Sequence, residues 1–178
     1  ASIFNGLGAH VTQLYRGEQI LRGFDDEVRH FVAAEMRKTG VDLRLGADVT
    51  AMRRGADGIE VTFNDGAAGP ATLVADTVLY ATGRVPNVRG LGLEELGVEL
   101  GWDGAVVVNE SYQTSVPSIY AVGDVTDRIQ LTPVALAEAM VVVDQLFGPP
   151  AGKPARSMDY AFIPTAVFTH PNIGTVGF

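Results

Sequence analysis

The chain has 178 residues, of which 47% are hydrophobic, and a formal net charge of −8. This apolar content is enough to bury a core in one or two domains, and the acidic balance argues against nucleic acid as the main partner. The chain contains no cysteine, which excludes disulfides and thiolate metal sites within it. No apolar run reaches the roughly 18 residues of a membrane span, and residues 1–8 lack a signal-peptide pattern. We therefore expect a cytoplasmic protein without a metal or membrane partner.

Both ends of the chain have the composition of interrupted elements. Residues 1–8 are typical of a helix that ends at a glycine, and residues 162–178 stop in a strand-like run. We expect this chain to be a segment of a longer protein.

The first half of the chain predicts a strand–helix–strand unit. Residues 8–15 alternate as a strand does, and residues 41–45 form a second short strand. Between them, residues 25–38 predict a helix with Asp25 as its N-cap. The apolar side chains at near-helical spacing, expected on its buried face, are Val28, Phe31, Val32 and Met36.

Glycine-rich turns then separate strands predicted at residues 48–53, 59–63 and 72–79. This spacing is typical of an antiparallel meander, inserted before a further strand predicted at residues 76–81.

The second half predicts fewer regular elements. Strands are expected at residues 105–108 and 118–122, and a helix opens at Thr132-Pro133 and reaches about residue 147. The following residues, 148–155, have the composition of a linker.

Gly6-Leu7-Gly8 is the weakest motif. A dinucleotide-binding GxG pair must follow a strand and open a helix, whereas this pair follows a helix-like segment. We interpret it as a helix end.

Arg16 directly follows the first predicted strand, and Arg22 lies six residues further along the chain. In a dinucleotide-binding unit an acidic residue near this point favours NAD, whereas arginine accommodates the 2′-phosphate of NADP. A guanidinium offers a planar fork of donors that suits phosphate. From the residues alone two alternatives stay open: solvated surface arginines, or an ion pair from Arg22 to Asp25 or Asp26.

Two further motifs lie at predicted strand ends. Residues 81–87, ATGRVPN, form a small-residue turn that lets the backbone approach a ligand. Gly123 allows a turn, and Asp124 presents acceptor oxygens at the carboxyl end of the strand predicted at residues 118–122. The free amides at Thr132 to Val134, where the helix starts, carry partial positive charge. The alternative for Asp124 is a turn residue that caps its own backbone.

These motifs, in this order, resemble the FAD-dependent pyridine nucleotide-disulfide oxidoreductase family over essentially the whole chain. The runs that carry the resemblance are ATGRVPN, AVGDVTDRIQLTPVALAEA and PTAVFTHPNIGTVGF. The stretch LYRGEQILRGFD is similar to the NADPH-using glutathione reductase branch.

For the nicotinamide coenzyme, the resemblance implies that Arg16 and Arg22 bind the 2′-phosphate of NADPH. It implies four further residues near this coenzyme, the last two on its nicotinamide side: Gly83, Arg84, Ala166 and Val167.

For FAD, the resemblance implies that Gly123 and Asp124 form the GD motif, in which Asp124 binds the ribityl chain. Leu131 and Thr132 would lie by the isoalloxazine. The helix from Pro133 would direct its positive end at the ring, where it stabilises developing negative charge.

The implied fold is α/β, with three parts. Residues 1–86 would be a partial, doubly wound NADPH-binding domain with an antiparallel meander. Residues 87–156 would be the C-terminal part of an FAD-binding domain, and residues 157–178 the start of an α+β dimerisation domain.

The implied reaction passes electrons from NADPH through FAD to a cysteine pair and then to glutathione disulfide, in a homodimer. No catalytic residue of that exchange is expected in this chain, which alone is expected to be inactive. The alternatives are a trypanothione reductase-like or other member of the family, and a noncatalytic fragment that binds no cofactor.

Overall fold

A computed structural model describes residues 1–177, apart from the side chain of Ala67. Phe178, the last residue of the predicted third part, lies outside the described residues. The helices are α1 Ser2–Gly6, α2 Asp26–Lys38 and α3 Thr132–Phe147. The strands are β1 Thr12–Tyr15, β2 Asp42–Leu45, β3 Ala47–Arg54, β4 Ile59–Asp65, β5 Pro70–Ala75, β6 Thr165–Val167 and β7 Ile173–Thr175.

The chain divides into two compact units. The first contains Ala1–Tyr80 and Pro164–Val176, and the second contains Ala81–Ile163 with Gly177.

The first unit is built on the predicted strand–helix–strand unit. Strands β1 and β2 pair in parallel, with Thr12 opposite Asp42 and Tyr15 opposite Leu45, and α2 connects them. Parallel neighbours need such a crossover, which a helix supplies. The predicted N-cap is confirmed, since Asp25 Oδ1 accepts a hydrogen bond from the Val28 N–H at 3.1 Å.

The buried face of α2 differs from the prediction at one position. Val32, Ala33 and Met36 are buried and form a core with residues of the loop and β2, whereas Phe31 is 56% exposed. Successive residues of a helix are about 100° apart, so Phe31 lies to one side of the stripe centred on Val32 and Met36.

The predicted meander is confirmed. Strands β3, β4 and β5 form an antiparallel sheet in that order. Phe63 is almost fully buried in its core, with Ala47 and Val61.

The strand predicted at residues 76–81 is wrong, and the predicted third meander strand ends at Ala75 instead of residue 79. A strand exists only where its N–H and C=O groups pair with a neighbour. Within residues 1–177 no backbone pairs with this segment, and Leu79 and Tyr80 are exposed.

Two smaller features of this unit follow the sequence. Helix α1 ends at Gly6, and Gly8 has φ +91°, so Gly6-Leu7-Gly8 is a helix end as interpreted. The strand-like run near the end of the chain forms the hairpin β6–β7, and Ile173 packs on the core around α2.

The second unit contains α3 and mostly irregular chain. Helix α3 has the predicted bounds. The strands predicted at residues 105–108 and 118–122 are wrong, because each makes only a single bridge, Val106 with Leu100 and Tyr120 with Gln113. Side chains form hydrogen bonds with backbone groups here: Asn109 Oδ1 accepts from the N–H groups of Ser111 and Gln113.

An ion pair connects Arg156, directly after the predicted linker, to helix α3. Asp144, in the last part of α3, is buried and accepts hydrogen bonds from Arg156 Nε at 2.8 Å, from Arg156 Nη2 and from the Arg156 N–H at 2.9 Å. These contacts, first those of the guanidinium and then that of the backbone N–H, lower the pKa of Asp144 to about 2.

The chain should therefore lose stability in acid through Asp144. The folded pKa lies below the ordinary value of 3.8, so ionised Asp144 stabilises the fold fully above pH 4 and loses this effect as the pH falls towards 2. We expect Asp144→Asn to lower the melting temperature at pH 7 and to flatten the fall in melting temperature between pH 4 and 2, as measured by circular dichroism. Glu60→Gln, in the exposed pair with Arg53, should change the profile little. Parallel profiles for wild type and Asp144→Asn would contradict this assignment.

Candidate cofactor-binding sites

The first candidate site is the loop between β1 and α2. Arg16 directly follows β1 and Arg22 lies six residues further on; both are exposed. Neither makes an ion pair with any residue of the part of the chain that the structure describes. Ile20, between them, is 4% exposed and anchors the loop in the core. Two cations are thus presented to solvent from an anchored loop.

The alternative ion pair from Arg22 to Asp25 or Asp26 is not formed. Asp25 accepts from the Val28 N–H, and Asp26 pairs with Arg29 at 2.6 Å. Both carboxylates are therefore engaged with α2, which leaves the Arg22 guanidinium available to an anion.

The second candidate site lies where Gly123 packs on the start of α3. Gly123 begins a 3₁₀ turn, Gly123–Thr126, and has φ +72°. A Cβ at this position would lie 2.9 Å from Ala135 Cβ, closer than carbon atoms approach. Glycine is required here both for the backbone conformation and for the close packing. The turn carries Asp124 to the N-terminal end of α3.

The N-terminus of α3 has no side-chain cap. Leu131 occupies the N-cap position and its C=O accepts from the Ala135 N–H at 3.1 Å. Thr132 and Pro133 are exposed first-turn residues. Proline has no N–H, so Thr132 and Val134 supply the backbone donors that a ligand at this end would meet.

Asp124 contacts the arginine of the ATGRVPN turn. Arg84 Nε donates to Asp124 Oδ2 at 3.2 Å, and Arg84 Nη2 lies 3.1 Å from the same oxygen. The side chains of Arg84 and Asp124 are 71% and 43% exposed, so this pair adds little stability. The neighbouring Gly83 has φ +116° and open space around it. The structure thus brings two of the sequence-predicted motifs together.

Ala166 and Val167 lie in strand β6, in the first unit. Ala166 is opposite Gly174 and Val167 is opposite Ile173. Ala166 is exposed and lines a shallow surface depression between the two strands of the hairpin.

A buried carboxylate that sequence reasoning missed supports the second site. Glu138, in α3, is 1% exposed. Its Oε2 accepts from the Gly123 N–H at 2.6 Å, and its Oε1 accepts from the Tyr160 hydroxyl at 2.6 Å. The signal was available, because Glu138 lies among apolar residues in ALAEAMVVV.

Tyr160 extends this network. Its hydroxyl lies 2.8 Å from that of Tyr112, and Arg128 Nη1 donates to it at 3.3 Å. Burial, then the hydrogen bonds with Glu138 and Tyr112, raise the pKa of Tyr160 above its ordinary value. The Arg128 guanidinium also lies 5.5 Å and 5.6 Å from the ring centres of Tyr112 and Tyr160. The phenol therefore stays protonated and acts as a donor to Glu138.

Residues 1–139 match the family described as pyridine nucleotide-disulphide oxidoreductase. The chain belongs to this family. It is 49% identical over 179 residues to glutathione reductase of Burkholderia cepacia, covering 99% of this chain and 38% of that protein. It is 42% identical over 181 residues to trypanothione reductase of Trypanosoma congolense, covering 99% of this chain and 35% of that protein.

Solved structures of flavoprotein disulfide reductases share the fold of this chain. The HOCl-induced flavoprotein disulfide reductase RclA from Escherichia coli superposes with a TM-score of 0.87 and 31% identity, over 99% of this chain and 39% of that one. The chain thus has the α/β fold of these proteins and spans a little over a third of their length. Among the helices of residues 1–177, none is sufficiently long and apolar to cross a membrane.

Loss of the Glu138 carboxylate should destabilise the second unit. Glu138→Ala leaves the Gly123 N–H and the Tyr160 hydroxyl without their buried acceptor, and we expect the free energy of unfolding to fall by about 2–5 kcal/mol. Glu138→Gln keeps one acceptor and should cost less than half as much. Urea unfolding followed by Tyr and Trp fluorescence measures both.

Gln145→Ala is the matched control for these variants, since Gln145 is an exposed polar residue of the same helix. Its effect should stay within about 0.5 kcal/mol. A Glu138→Ala chain as stable as this control would show that the carboxylate does not hold the turn.

Proposed function

We propose that this chain is the central segment of an NADPH-dependent, FAD-containing disulfide reductase whose substrate is glutathione disulfide. The observation that carries the proposal is the pair Arg16 and Arg22 in the loop after β1, two exposed guanidiniums that have no carboxylate partner among residues 1–177. Membership of the family and the high identity to a protein named glutathione reductase support it.

Arg16 and Arg22 would bind the 2′-phosphate of NADPH. Guanidinium groups form charge-assisted hydrogen bonds with phosphate, and in the part of the chain that the structure describes neither arginine is paired with an acid. Gly83 and Arg84 would lie near the coenzyme, and Ala166 and Val167 would approach its nicotinamide. The exposed edge of β6 at Ala166 is compatible with that last role.

Gly123 and Asp124 would hold FAD, with Asp124 on the ribityl hydroxyl groups. The half-exposed Asp124 carboxylate and the uncapped start of α3 fit such a ligand. Leu131, Thr132 and Pro133 would lie by the isoalloxazine, where the positive end of α3 stabilises negative charge on the ring. When bound, FAD supplies two-electron redox chemistry that no side chain of this segment offers.

The remaining assignments are proposals of the same kind. Residues 1–86 would belong to a doubly wound NADPH-binding domain, residues 87–156 to the FAD-binding domain and residues 157–178 to a dimerisation domain of a cytoplasmic homodimer. Since the chain has no cysteine, the thiols that reduce the substrate would come from another part of the protein. The 178 residues alone would then be inactive.

Removing both phosphate-binding arginines should abolish the preference for NADPH. In the complete enzyme, Arg16→Ala with Arg22→Ala should cost about 1.5–3 kcal/mol of NADPH binding per arginine, about 10- to 150-fold each, because charge-assisted contacts are lost. NADH, which has no 2′-phosphate, should be affected less than about 3-fold. Steady-state kcat/KM for the two coenzymes measures this.

Arg54→Ala is the control for the loss of positive charge, since Arg54 is an exposed arginine at the end of β3 without an ion pair among the described residues. It should leave the ratio of NADPH to NADH unchanged. Equal losses for both coenzymes in the double variant would refute the 2′-phosphate assignment.

The second candidate substrate is trypanothione disulfide, favoured by the 42% identity to a protein named trypanothione reductase. An enzyme discriminates between two related substrates by the difference between their binding free energies. We expect the complete enzyme to reduce glutathione disulfide with a kcat/KM at least about 100-fold higher, as differences of a few kcal/mol give. The reverse preference, measured by NADPH oxidation at 340 nm, would make the second candidate correct.

A further inference from the structure

Arg29, on α2, reaches back to the loop that carries the two exposed arginines. Its Nε donates to the Ile20 C=O at 2.8 Å, and its Nη2 donates to the Gln19 C=O at 3.0 Å. Its Nη1 donates to Asp26 Oδ1 at 2.6 Å. The side chain is only 20% exposed, so each edge of this guanidinium is directed at the protein.

The two carbonyls that Arg29 holds lie in the middle of the loop, between Arg16 and Arg22. Next to them, Leu21 has φ +58°, a left-handed conformation that a bulky residue adopts only when its surroundings impose it. Ile20 is fixed in the core, and its N–H donates to Gln19 Oε1 at 3.0 Å. The loop therefore has one imposed shape, and Arg29 supplies two of the contacts that impose it.

We propose that Arg29 is a positioning residue for coenzyme selection: it fixes the loop so that Arg16 and Arg22 meet the 2′-phosphate already in place. This inference rests on the proposed function of that pair. Arg29 is not assigned to the phosphate itself, because each of its three nitrogens already donates within the protein and its charge is balanced by Asp26. Only a rigid planar fork holds two successive carbonyls and a carboxylate in this way.

The consequence is specific to NADPH. Without Arg29, the loop and the side chains of Arg16 and Arg22 must become ordered when the coenzyme binds. This loss of conformational entropy weakens the binding of the 2′-phosphate, which NADPH carries and NADH does not. The KM for NADPH should rise on the order of 10-fold, with kcat unchanged and NADH kinetics unchanged. A general structural defect would instead lower activity with both coenzymes.

The test uses Arg29→Ala and Arg29→Lys in the complete enzyme, assayed with NADPH and NADH. Both variants should lose selectivity for NADPH, because the ammonium of lysine keeps the charge but cannot form the fork. The ratio of the two kcat/KM values does not depend on the fraction of folded enzyme, so partial unfolding does not mask the result. Selectivity fully retained in Arg29→Lys would overturn the proposal, since charge alone would then suffice.

Arg37→Ala is the matched control. Arg37 is on the same helix and also donates to a backbone carbonyl, that of Leu43 at 3.3 Å, but not in the loop. Its removal should leave selectivity within about 2-fold, as expected for a site without a shared partner. An equal loss of selectivity in Arg37→Ala would show that any disturbance of α2 changes coenzyme selection, and would contradict a specific role of the contacts between Arg29 and the loop.

Combination with Arg16→Ala and Arg22→Ala separates the possible outcomes. In that background Arg29→Ala should have no further effect on selectivity, because nothing remains to be positioned. A further loss would make Arg29 a direct phosphate ligand and overturn the positioning role. If the double variant itself keeps its selectivity, the proposed function fails; if it loses selectivity while Arg29→Ala keeps it, only the positioning role fails.

Discussion

The second unit depends on one buried carboxylate. Taking an ionised carboxylate out of water costs several kcal/mol, and the cost is offset only when its oxygens accept well-aligned hydrogen bonds. Glu138 meets this condition with the Gly123 N–H and the Tyr160 hydroxyl, each at 2.6 Å. Tyr160 is in turn contacted by the guanidinium of Arg128.

This carboxylate joins α3 to two segments that contain no strand, the Gly123 turn and the chain around Tyr160. Gly123 is drawn onto α3 so closely that Ala135 leaves no room for a Cβ. Tyr160 belongs to the segment after the linker, which Asp144 also ties to the helix through Arg156. With few strands to organise it, this unit is held by α3 and by the side chains that the helix offers. The position of Asp124 beside the start of α3 follows from these contacts, not from a sheet.

Regular elements with strong local signals could be predicted from the sequence. Asp25 followed by apolar residues at helical spacing gave α2 and its cap, and glycine-rich turns gave the meander. Residues 76–81 could not be predicted in this way, because an apolar run becomes a strand only beside a pairing partner. The burial predicted for Phe31 was wrong for a smaller reason, because a difference of one position turns a side chain by about 100° around the helix.

The candidate sites could be predicted in part, and the limit is again physical. Motif spacing singles out residues that are proposed to touch a ligand, such as Arg16 and Asp124, because their chemistry is visible in their type. Glu138 stands out in the sequence as a charge in an apolar run, but Glu138 and Arg29 act through other residues, and their partners include backbone groups 15 and 9 residues away. Backbone groups carry no sequence signal, so these contacts became visible only in the folded chain.

The overall charge makes the shape of the arginine loop more important. A chain with a net charge of −8 repels a phosphorylated coenzyme at a distance, but salt screens this repulsion beyond about 8 Å at physiological ionic strength. Attraction must therefore act at contact range, where the strength of a charge-assisted hydrogen bond depends on distance and angle. For two mobile arginines on an acidic surface, the entropy lost when they become ordered would offset most of the free energy of their contacts with the phosphate. In the proposed site, a loop anchored by Ile20 and held by Arg29 would remove that cost before the coenzyme binds, so a local anion site could exist on a segment whose net charge opposes it.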